Sequence, residues 1–251
     1  MDIFKYLQRI NYIGELKPSL QVLTKLQKAH LLHIPFENLD IIAKIPIELS
    51  IEKLYSKIVI NNRGGFCYEL NSLFFQLLKT IGFNVKMVSA KVYNRKKDYG
   101  AEFDHMAIIV RIKKVDYLAD VGFGEFAFSP LKIELNSFQE DKRGLFKIEE
   151  YDSNYILVNK HDTDKWIPEY IFSPQSRELK EYEDMCHYHQ TSPDSHFTWK
   201  RMCTLPTEKG RITISGNTLK LTEANRYTEK QIENEMEFKK LLKAHFNIEL
   251  K

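Results

Sequence analysis

The sequence predicts an α+β fold with a helical N-terminal part, a β-rich centre and a smaller mixed C-terminal part. Apolar residues recur every three or four positions through the first third of the chain, which is typical of helices that pack on one face. From Phe83 the pattern changes to stretches rich in β-branched and aromatic residues, separated by polar turns. With 251 residues, 43% of them hydrophobic, the chain is long enough to bury a sizeable core.

Four helices are predicted in the N-terminal part, and residues that favour helix ends stand at their boundaries. Pro18 and Ser19 begin the second helix, and Ser50 is the expected N-cap of the third. The fourth begins near Cys67 and ends at Gly82, a residue type that favours C-caps. The apolar faces of the four helices are Ile3, Phe4, Leu7 and Ile10; Leu20, Leu23, Leu26 and Leu31; Ile51, Leu54 and Ile58; and Leu70, Leu73, Phe74, Leu77 and Leu78.

The centre of the chain is predicted to be a sheet and the last segment a helix. Met106–Ile112 and Val115–Val121 are predicted as two strands joined by a turn that contains lysines. Further strands are predicted at Phe83–Tyr93, Phe146–Ile148, Tyr155–Val158 and Arg211–Ser215. Thr228–Phe246 is predicted as a helix with a polar face. Its apolar side is formed by Ile232, Met236, Leu241 and Leu242.

Composition excludes several classes of protein. The net charge is +3, and basic residues are interspersed with acidic ones, so no nucleic-acid-binding surface is predicted. No apolar run approaches the roughly 20 residues of a membrane span, and the charged N-terminus lacks a signal-peptide pattern. Cys67, Cys186 and Cys203 are odd in number and widely spaced, without a CxxC motif. A reducing cytoplasm, without disulfides, is therefore the expected setting.

The most informative stretch of the sequence is Arg63-Gly64-Gly65-Phe66-Cys67-Tyr68-Glu69-Leu70-Asn71. Its two glycines allow the backbone to turn sharply and to approach a ligand closely. Its cysteine stands at the expected start of a helix, where unpaired N–H groups and the helix dipole favour the nucleophilic thiolate. Cys67 is therefore a candidate nucleophile, and the alternative is a buried structural cysteine.

A cysteine nucleophile needs a histidine base, and His105 is the candidate among the eight histidines. The others lie in helical segments, where packing is expected, or in polar stretches; they are His30, His33, His161, His187, His189, His196 and His245. The cluster around His187 and His189 includes Cys186 and could indicate a metal site. A tetrahedral zinc site needs four ligands, however, and no second cluster appears in the sequence, so no metal is predicted.

His105 and Asp120 stand at the two ends of the predicted hairpin. The residue numbers of opposite partners in an antiparallel pair sum to a constant. Pairing His105 with Asp120 gives 225 and centres the hairpin close to the lysine-containing turn. Asp120 would then accept a hydrogen bond from one ring nitrogen while the other faces the cysteine, as a Cys-His-Asp triad requires. Taken alone, the pair could also be a strand-end histidine and a turn-capping aspartate.

The residues after Asp120 predict a tight turn that exposes an aromatic ring. Glycines flank the aromatic residue in Val121-Gly122-Phe123-Gly124. Beside the predicted triad, the ring of Phe123 is expected to form a pocket wall for a flat substrate.

Together these motifs resemble those of the arylamine N-acetyltransferases. The cysteine motif from Arg63 to Asn71, the histidine at His105 and the aspartate with its glycine–aromatic turn all have counterparts in that family. Family-like segments are also found at Arg9-Ile10-Asn11-Tyr12 with Gly14, and at Ile34-Pro35-Phe36-Glu37-Asn38-Leu39. The resemblance is close over the first half of the chain, and later only fragments such as Tyr188-His189-Gln190-Thr191-Ser192-Pro193 share it.

The resemblance implies three lobes around a cysteine-protease-like catalytic core. These are a helical lobe with the cysteine over residues 1–83, a β-barrel lobe with the histidine and aspartate over 84–195, and an α/β lid over 196–251. It also implies ping-pong transfer of an acetyl group from acetyl-CoA to an arylamine or arylhydrazine, without a metal. Cys67 would carry the acetyl group as a thioester, His105 would be the base, and Asp120 would orient it.

The resemblance implies roles for residues around the triad as well. Phe36 and Phe123 would line the acceptor pocket. Arg63 and Glu37 would form a buried ionic network behind the cysteine, with Arg9 as a candidate third member. The run Glu102-Phe103-Asp104 departs from the family, because many relatives carry a small or hydroxylated residue before the histidine, and this departure bears on acceptor preference.

Three alternative functions use or retain the same residues. An amide synthase would join a larger acyl group to an aryl amine, and a cysteine amidohydrolase would transfer the acyl group to water. A non-enzymatic binding module would keep the fold without activity. The presence of Cys67, His105 and Asp120 together argues against the last alternative.

Overall fold

The structure is a computed structural model that describes residues 1–95, 98–224 and 226–250. Two residues of the predicted C-terminal lid, Asn225 and Lys251, lie outside the described part. The α-helices are α1 (Ile3–Arg9), α2 (Leu20–His33), α3 (Leu39–Ile42), α4 (Ile51–Tyr55), α5 (Cys67–Ile81), α6 (Glu183–Thr191) and α7 (Glu235–Phe246). A π-helical turn over Ser56–Ile60 directly continues α4.

The β-strands range in length from two to eleven residues. They are β1 (Phe36–Glu37), β2 (Asn84–Asn94), β3 (Asp98–Tyr99), β4 (His105–Ile112), β5 (Val115–Ala119), β6 (Leu131–Lys132), β7 (Phe138–Asp141), β8 (Gly144–Glu150), β9 (Ile156–Asp162), β10 (Lys165–Phe172), β11 (Met202–Thr207), β12 (Gly210–Ser215), β13 (Thr218–Glu223) and β14 (Arg226–Gln231). The predicted α+β class is confirmed.

The chain divides into two compact units, each built from segments that are not contiguous in sequence. The first contains Met1–Ile13, Ala29–Leu70 and the chain from Glu183 onward, and the second contains Gly14–Lys28 and Asn71–Tyr182. The predicted lobe boundaries after residues 83 and 195 stay a prediction.

The first unit contains a five-stranded antiparallel sheet with the order β1-β11-β12-β13-β14. Helix α7 packs on this sheet through Phe238, Leu242 and Phe246, which join a buried cluster with Cys203 and Ile214. The apolar stripe of α7 therefore covers one face of the sheet.

The second unit contains a nine-stranded antiparallel sheet with the order β6-β5-β4-β2-β10-β9-β8-β7, and β3 pairs with β2. A side chain joins its two end strands: Nε2 of Gln139 donates to the carbonyl of Lys132 at 2.9 Å, and Oε1 accepts the N–H of Lys132 at 2.7 Å. The sheet is thus a nearly closed barrel, which leaves little exposed edge. Its interior is filled by buried side chains such as Val88, Phe146 and Phe172.

The β4–β5 hairpin forms as predicted, but in a different register. Ile108 pairs with Ala119 and Ile112 pairs with Val115, so that partner numbers sum to 227 rather than 225. A two-residue turn at Lys113 and Lys114 sets this register, and Lys113 takes the positive φ of 58° that such turns need. Because the difference is two residues, every side chain keeps its predicted face of the sheet.

Two predictions about helices were wrong in detail. Phe4, Leu20 and Met236 are 73%, 39% and 83% exposed, because the buried faces of their helices are rotated away from them. Thr228 lies in β14, where it pairs with Leu221 of β13, and not in a helix. The last helix begins after Asn234, whose side chain caps it by accepting the N–H of Glu237 at 3.0 Å.

The helix that carries the candidate nucleophile has the predicted ends. Helix α5 begins at Cys67 and is followed by Gly82, whose φ of +102° is accessible to glycine at little cost. Ser50 also stands at its predicted N-cap position, but its hydroxyl donates to Glu52 and makes no capping bond to the backbone. In the described part of the chain, no helix is both long and apolar enough to span a membrane.

Candidate active site

His105 and Asp120 form a buried hydrogen-bonded pair in the second unit. Nε2 of His105 lies 2.6 Å from Oδ2 of Asp120, and the two residues are 2% and 0% exposed. His105 is the first residue of β4, whereas Asp120 directly follows β5. In the observed register the two residues are not direct partners, so their side chains reach each other diagonally across the end of the hairpin. The predicted contact is therefore confirmed, although the predicted register was wrong.

Asp120 accepts hydrogen bonds from four further donors. Its Oδ2 accepts the hydroxyl of Tyr170 at 3.1 Å. Its Oδ1 accepts the N–H groups of Gly122 and Phe123 at 2.8 and 3.0 Å, and the side-chain amide of Asn71 at 2.9 Å. The tight turn after Asp120 thus folds back onto its carboxylate, which fixes the orientation that the carboxylate presents to the histidine.

Aromatic rings surround the imidazole of His105. The ring of Phe123 packs edge-on against it with centroids 5.4 Å apart, and the ring of Tyr170 lies at 5.3 Å. Phe123 and Tyr170 also contact each other at 5.2 Å. Phe123 remains partly exposed, as expected for a ring presented by a glycine-flanked turn. The imidazole therefore lies in an apolar environment with one ring edge held by Asp120.

Cys67 lies in the first unit, as the first residue of α5, and is 3% exposed. The two preceding glycines are packed so closely that no side chain fits. A Cβ at Gly64 would lie 2.0 Å from the carbonyl oxygen of Pro35, and one at Gly65 would lie 2.8 Å from the carboxylate of Glu69. These close contacts explain why the cysteine motif needs both glycines.

A buried ionic network lies beside the cysteine motif. Arg63 contacts Glu37 and Asp40, each at 2.7 Å, and Lys57 contacts Asp40 at 2.8 Å and Glu69 at 2.7 Å. The predicted Arg63–Glu37 pair is therefore present. Two carboxylates and a lysine extend it beyond the prediction.

Arg9 is not part of the network. Its guanidinium donates to backbone carbonyls, at 2.6 Å to that of His33 and at 3.2 Å to that of Ile58. Longer bonds of 3.4 Å reach the carbonyls of Asn62 and Arg63. Arg9 thus holds the ends of α2 and of the π-helical turn, where carbonyls lack helical partners.

The other two cysteines differ from Cys67 in their surroundings. Cys203 is fully buried on β11, and burial raises the pKa of its thiol well above the ordinary value. Burial also raises the pKa of Cys186 to about 12, and the charge of Glu69 contributes to that rise. Neither thiol is suited to ionise near neutral pH.

Phe36 lies on β1 and packs against Phe197, with centroids 6.1 Å apart. Its backbone forms a bridge with Gly65 in the cysteine motif, and the residue is only partly buried.

In the second unit, Glu102 accepts hydrogen bonds from the hydroxyls of Ser89 and Tyr155. Glu102, which departs from the family pattern three residues before His105, is thus held by hydrogen bonds to two residues of the second unit.

Comparison with known proteins identifies the family. A family model described as N-acetyltransferase matches residues 19–251. A pineal gland arylamine N-acetyltransferase of the chicken, Gallus gallus, is 34% identical over 100% of this chain and 95% of its own length. The chain belongs to the arylamine N-acetyltransferase family.

Solved structures of arylamine N-acetyltransferases have the same fold. The enzyme of Mycobacterium marinum in complex with CoA has a TM-score of 0.90 and 29% identity, covering 98% of this chain and 93% of its own. An enzyme of Bacillus cereus, described as having a Cys-His-Glu catalytic triad, has a TM-score of 0.92 and 26% identity over 100% of both chains. In the protein described here, the carboxylate that is bonded to His105 is that of an aspartate, Asp120.

Two further residues of this arylamine N-acetyltransferase bond to Asp120 without a role that the sequence predicts. Tyr170 was not predicted to reach Asp120, because it comes from β10, fifty positions along the chain. Asn71 is the last residue of the cysteine motif, but the motif alone predicts no role for its side chain. Its position four residues after Cys67, on the same helical face, was the available signal.

The histidines of the Cys186–His189 cluster have other surroundings than a metal site in the described residues. Across residues 1–95, 98–224 and 226–250, no group of three or more His, Cys, Asp or Glu side chains is arranged to hold a metal ion. His189 instead packs on the ring of Tyr68 at 6.0 Å and bonds to Ser195 at 3.1 Å.

Proposed function

We propose that this protein transfers an acetyl group from acetyl-CoA to arylamines or arylhydrazines through Cys67, with His105 as the base and Asp120 as its orienting partner. The observation that carries the proposal is the buried His105–Asp120 bond of 2.6 Å, with the rings of Phe123 and Tyr170 packed against the imidazole. Membership of the arylamine N-acetyltransferase family supports the reaction class, and the CoA complex of the relative from M. marinum supports the donor.

The helix of Cys67 supports the grouping of the three residues. Asn71, which donates to Asp120, lies four residues after Cys67 on the same helix. Residues four apart lie on the same face of an α-helix, about 6 Å apart along its axis. Asp120 is in turn bonded to Nε2 of His105, so Nδ1 is the ring nitrogen that would act on the thiol.

The proposed reaction has two halves. In the first, the Cys67 thiolate attacks the thioester carbonyl of acetyl-CoA, and the CoA thiolate leaves with the proton that His105 took from the cysteine. In the second, the amine attacks the acetyl-cysteine carbonyl and His105 accepts the amine proton. The amide product then leaves, and the proton returns to the sulfur, which restores the Cys67 thiol and the neutral imidazole. Asp120 would keep the imidazole oriented and would stabilise its protonated form in both halves.

We further propose roles for the surrounding side chains. Phe123 and Phe36 would contact the flat acceptor, and Arg63 with Glu37 would support the cysteine motif. Both glycines of that motif lie against Pro35, Glu37 or Glu69, which supports such a structural role. The free cysteines would be compatible with the cytoplasm as the site of action.

The test is mass spectrometry of the intact protein after mixing with acetyl-CoA alone, followed by addition of an arylamine. The protein should gain one acetyl group, which should disappear as the arylamide forms. Cys67→Ala should gain none, whereas Cys186→Ala and Cys203→Ala should behave like the wild type. If the acetyl group is lost to water without amine as fast as it is lost in the presence of arylamine, the protein is an amidohydrolase. Acylation only by larger thioesters would indicate an amide synthase, and no acylation would indicate a binding module.

A further inference from the structure

Glu69 caps the helix that begins at Cys67. Its Oε2 accepts the backbone N–H of Phe66 at 3.0 Å, which is the residue before the cysteine. This contact is the reciprocal half of a capping box, in which the third helical residue reaches back to the N-cap. The side chain of Glu69 is 1% exposed. The carboxylate therefore fixes the turn that presents Cys67.

The capping carboxylate is held in place on two sides. A Cβ at Gly65 would come within 2.8 Å of Oε2, so the carboxylate rests directly on the glycine backbone. On the other side, Nζ of Lys57 lies 2.7 Å from Oε1. Lys57 comes from the π-helical turn, a type of local widening that is frequent at functional sites.

The charge of Glu69 creates an electrostatic problem for the nucleophile. The start of a helix favours a thiolate because its N–H groups carry partial positive charge. A buried carboxylate in the same helical turn opposes that effect, since like charges disfavour ionisation. Burial raises the pKa of Glu69, and the Lys57 ammonium acts against that rise. Burial would lower the pKa of Lys57, but Glu69, Glu37 and Asp40 raise it overall, so the lysine stays charged.

The other charged or titratable groups around this pair come from each neighbouring element. Glu37 from β1 and Asp40 from α3 are bonded to Arg63, and Asp40 shares Lys57 with Glu69. Cys186 from α6 is a neutral thiol, because burial raises its pKa to about 12. Lys57 is thus the cation that directly contacts the capping carboxylate in the described part of the chain.

We propose that Glu69 and Lys57 are positioning residues for the nucleophile: the carboxylate fixes the turn before Cys67, and the ammonium neutralises that carboxylate so that the helix start still favours the thiolate. The inference rests on the proposed role of Cys67. It assigns to the Lys57–Glu69 pair an effect on ionisation of the cysteine, beyond support of the fold.

The test measures the rate of Cys67 alkylation by iodoacetamide against pH, read from the Cys67 peptide by mass spectrometry. Glu69→Gln keeps an acceptor for the Phe66 N–H but removes the negative charge, so the midpoint of the profile should move to lower pH. Lys57→Met should move it to higher pH, by about one unit, which lowers the alkylation rate below the midpoint about tenfold. The double variant should return towards the wild type.

Lys53→Met is the matched control, because Lys53 lies on α4, directly before the π-helical turn, and forms an exposed ion pair with Glu48. Its alkylation profile should equal that of the wild type. If Lys57→Met does not fold, the inference is tested by the other two variants. Glu69→Gln should still lower the midpoint, and Lys57→Arg, which keeps the positive charge, should keep the wild-type midpoint. Unshifted midpoints, or shifts in the same direction for Glu69→Gln and Lys57→Met, would overturn the inference. Failure of wild-type Cys67 to accept an acetyl group would overturn the proposed function instead.

Discussion

Asn71 binds both Asp120 and the residue that follows it. Its Nδ2 donates to Oδ1 of Asp120 at 2.9 Å, and its Oδ1 accepts the N–H of Val121 at 3.0 Å. A further bond of 2.6 Å joins Nδ2 to the carbonyl of Met106, the residue after His105. One fully buried amide therefore contacts both strands whose ends carry the proposed base and its carboxylate.

Replacing Asn71 by Ala should impair catalysis by releasing Asp120. A hydrogen bond to a charged group contributes about 1.5–3 kcal/mol, so we expect kcat/KM to fall about tenfold to hundredfold. Both half-reactions should slow, because the imidazole serves in each. The measurement is stopped-flow acetylation of the protein by acetyl-CoA, followed by discharge to an arylamine. Thr80→Ala, at an exposed position of the same helix, is the control, and an Asn71→Ala variant as active as this control would refute the role.

Replacing Arg63 by Gln should lower stability more than it alters the chemistry. Arg63 contacts two carboxylates at 2.7 Å, and Glu37 is fully buried. Breaking a buried pair leaves an uncompensated charge and costs about 3–5 kcal/mol, to be measured by urea unfolding. Arg111→Gln removes an exposed pair with Asp116, and its unfolding should stay close to that of the wild type. Wild-type unfolding together with lost activity would instead indicate a direct catalytic role for Arg63.

The sequence was sufficient to predict the parts of the site that depend on local pattern. The helix start at Cys67, the hairpin and the His105–Asp120 contact follow from residue spacing and short-range turn chemistry. The two-residue register difference did not remove the contact, because it preserved the face of each side chain. The Arg63–Glu37 pair followed from the resemblance.

The missed contacts depend on tertiary packing. Tyr170 reaches Asp120 only because the barrel brings β10 beside β2, a pairing that no local pattern specifies. Lys57 points at Glu69 from a π-helical turn, whose extra residue rotates side chains relative to an ordinary helix. Neither the sheet order nor the helix irregularity leaves a clear periodic signal in a single sequence.

Replacing Phe123 by Ser should affect the acceptor half-reaction more than the donor half-reaction. Its ring is partly exposed and lies 5.4 Å from the imidazole of His105. An aromatic contact contributes about 0.5–1.5 kcal/mol beyond buried area, so transfer to arylamines should weaken about two- to tenfold. Acetylation of Cys67 by acetyl-CoA should remain nearly unchanged in single-turnover measurements. Phe138→Ser, at a 65% exposed ring in the same barrel, is the control, and equal loss in both halves would assign Phe123 to the fold or the donor.

Glu169 should make stability depend on pH. It is the extra residue of a β-bulge in β10, where Pro168 pairs with Asn159 and Tyr170 pairs with Val158. Burial raises its pKa from 4.5 to about 7, an effect that Lys160 opposes and that the charge of Glu125 increases. Between pH 4.5 and 7 the folded protein therefore holds a proton that the unfolded chain has lost.

Stability contributed by the protonated form of Glu169 is present below pH 4.5 and is lost as the pH rises to 7. Glu169→Gln mimics that form, so it should be more stable than the wild type at pH 8, by about 1–3 kcal/mol. The difference should vanish near pH 4, since both proteins are then uncharged at this position. Urea unfolding across this pH range measures it, with Glu150→Gln, an exposed carboxylate of β8, as the control. A constant difference between Glu169→Gln and the wild type at every pH would mean that the change acts through packing and not through the titration of Glu169.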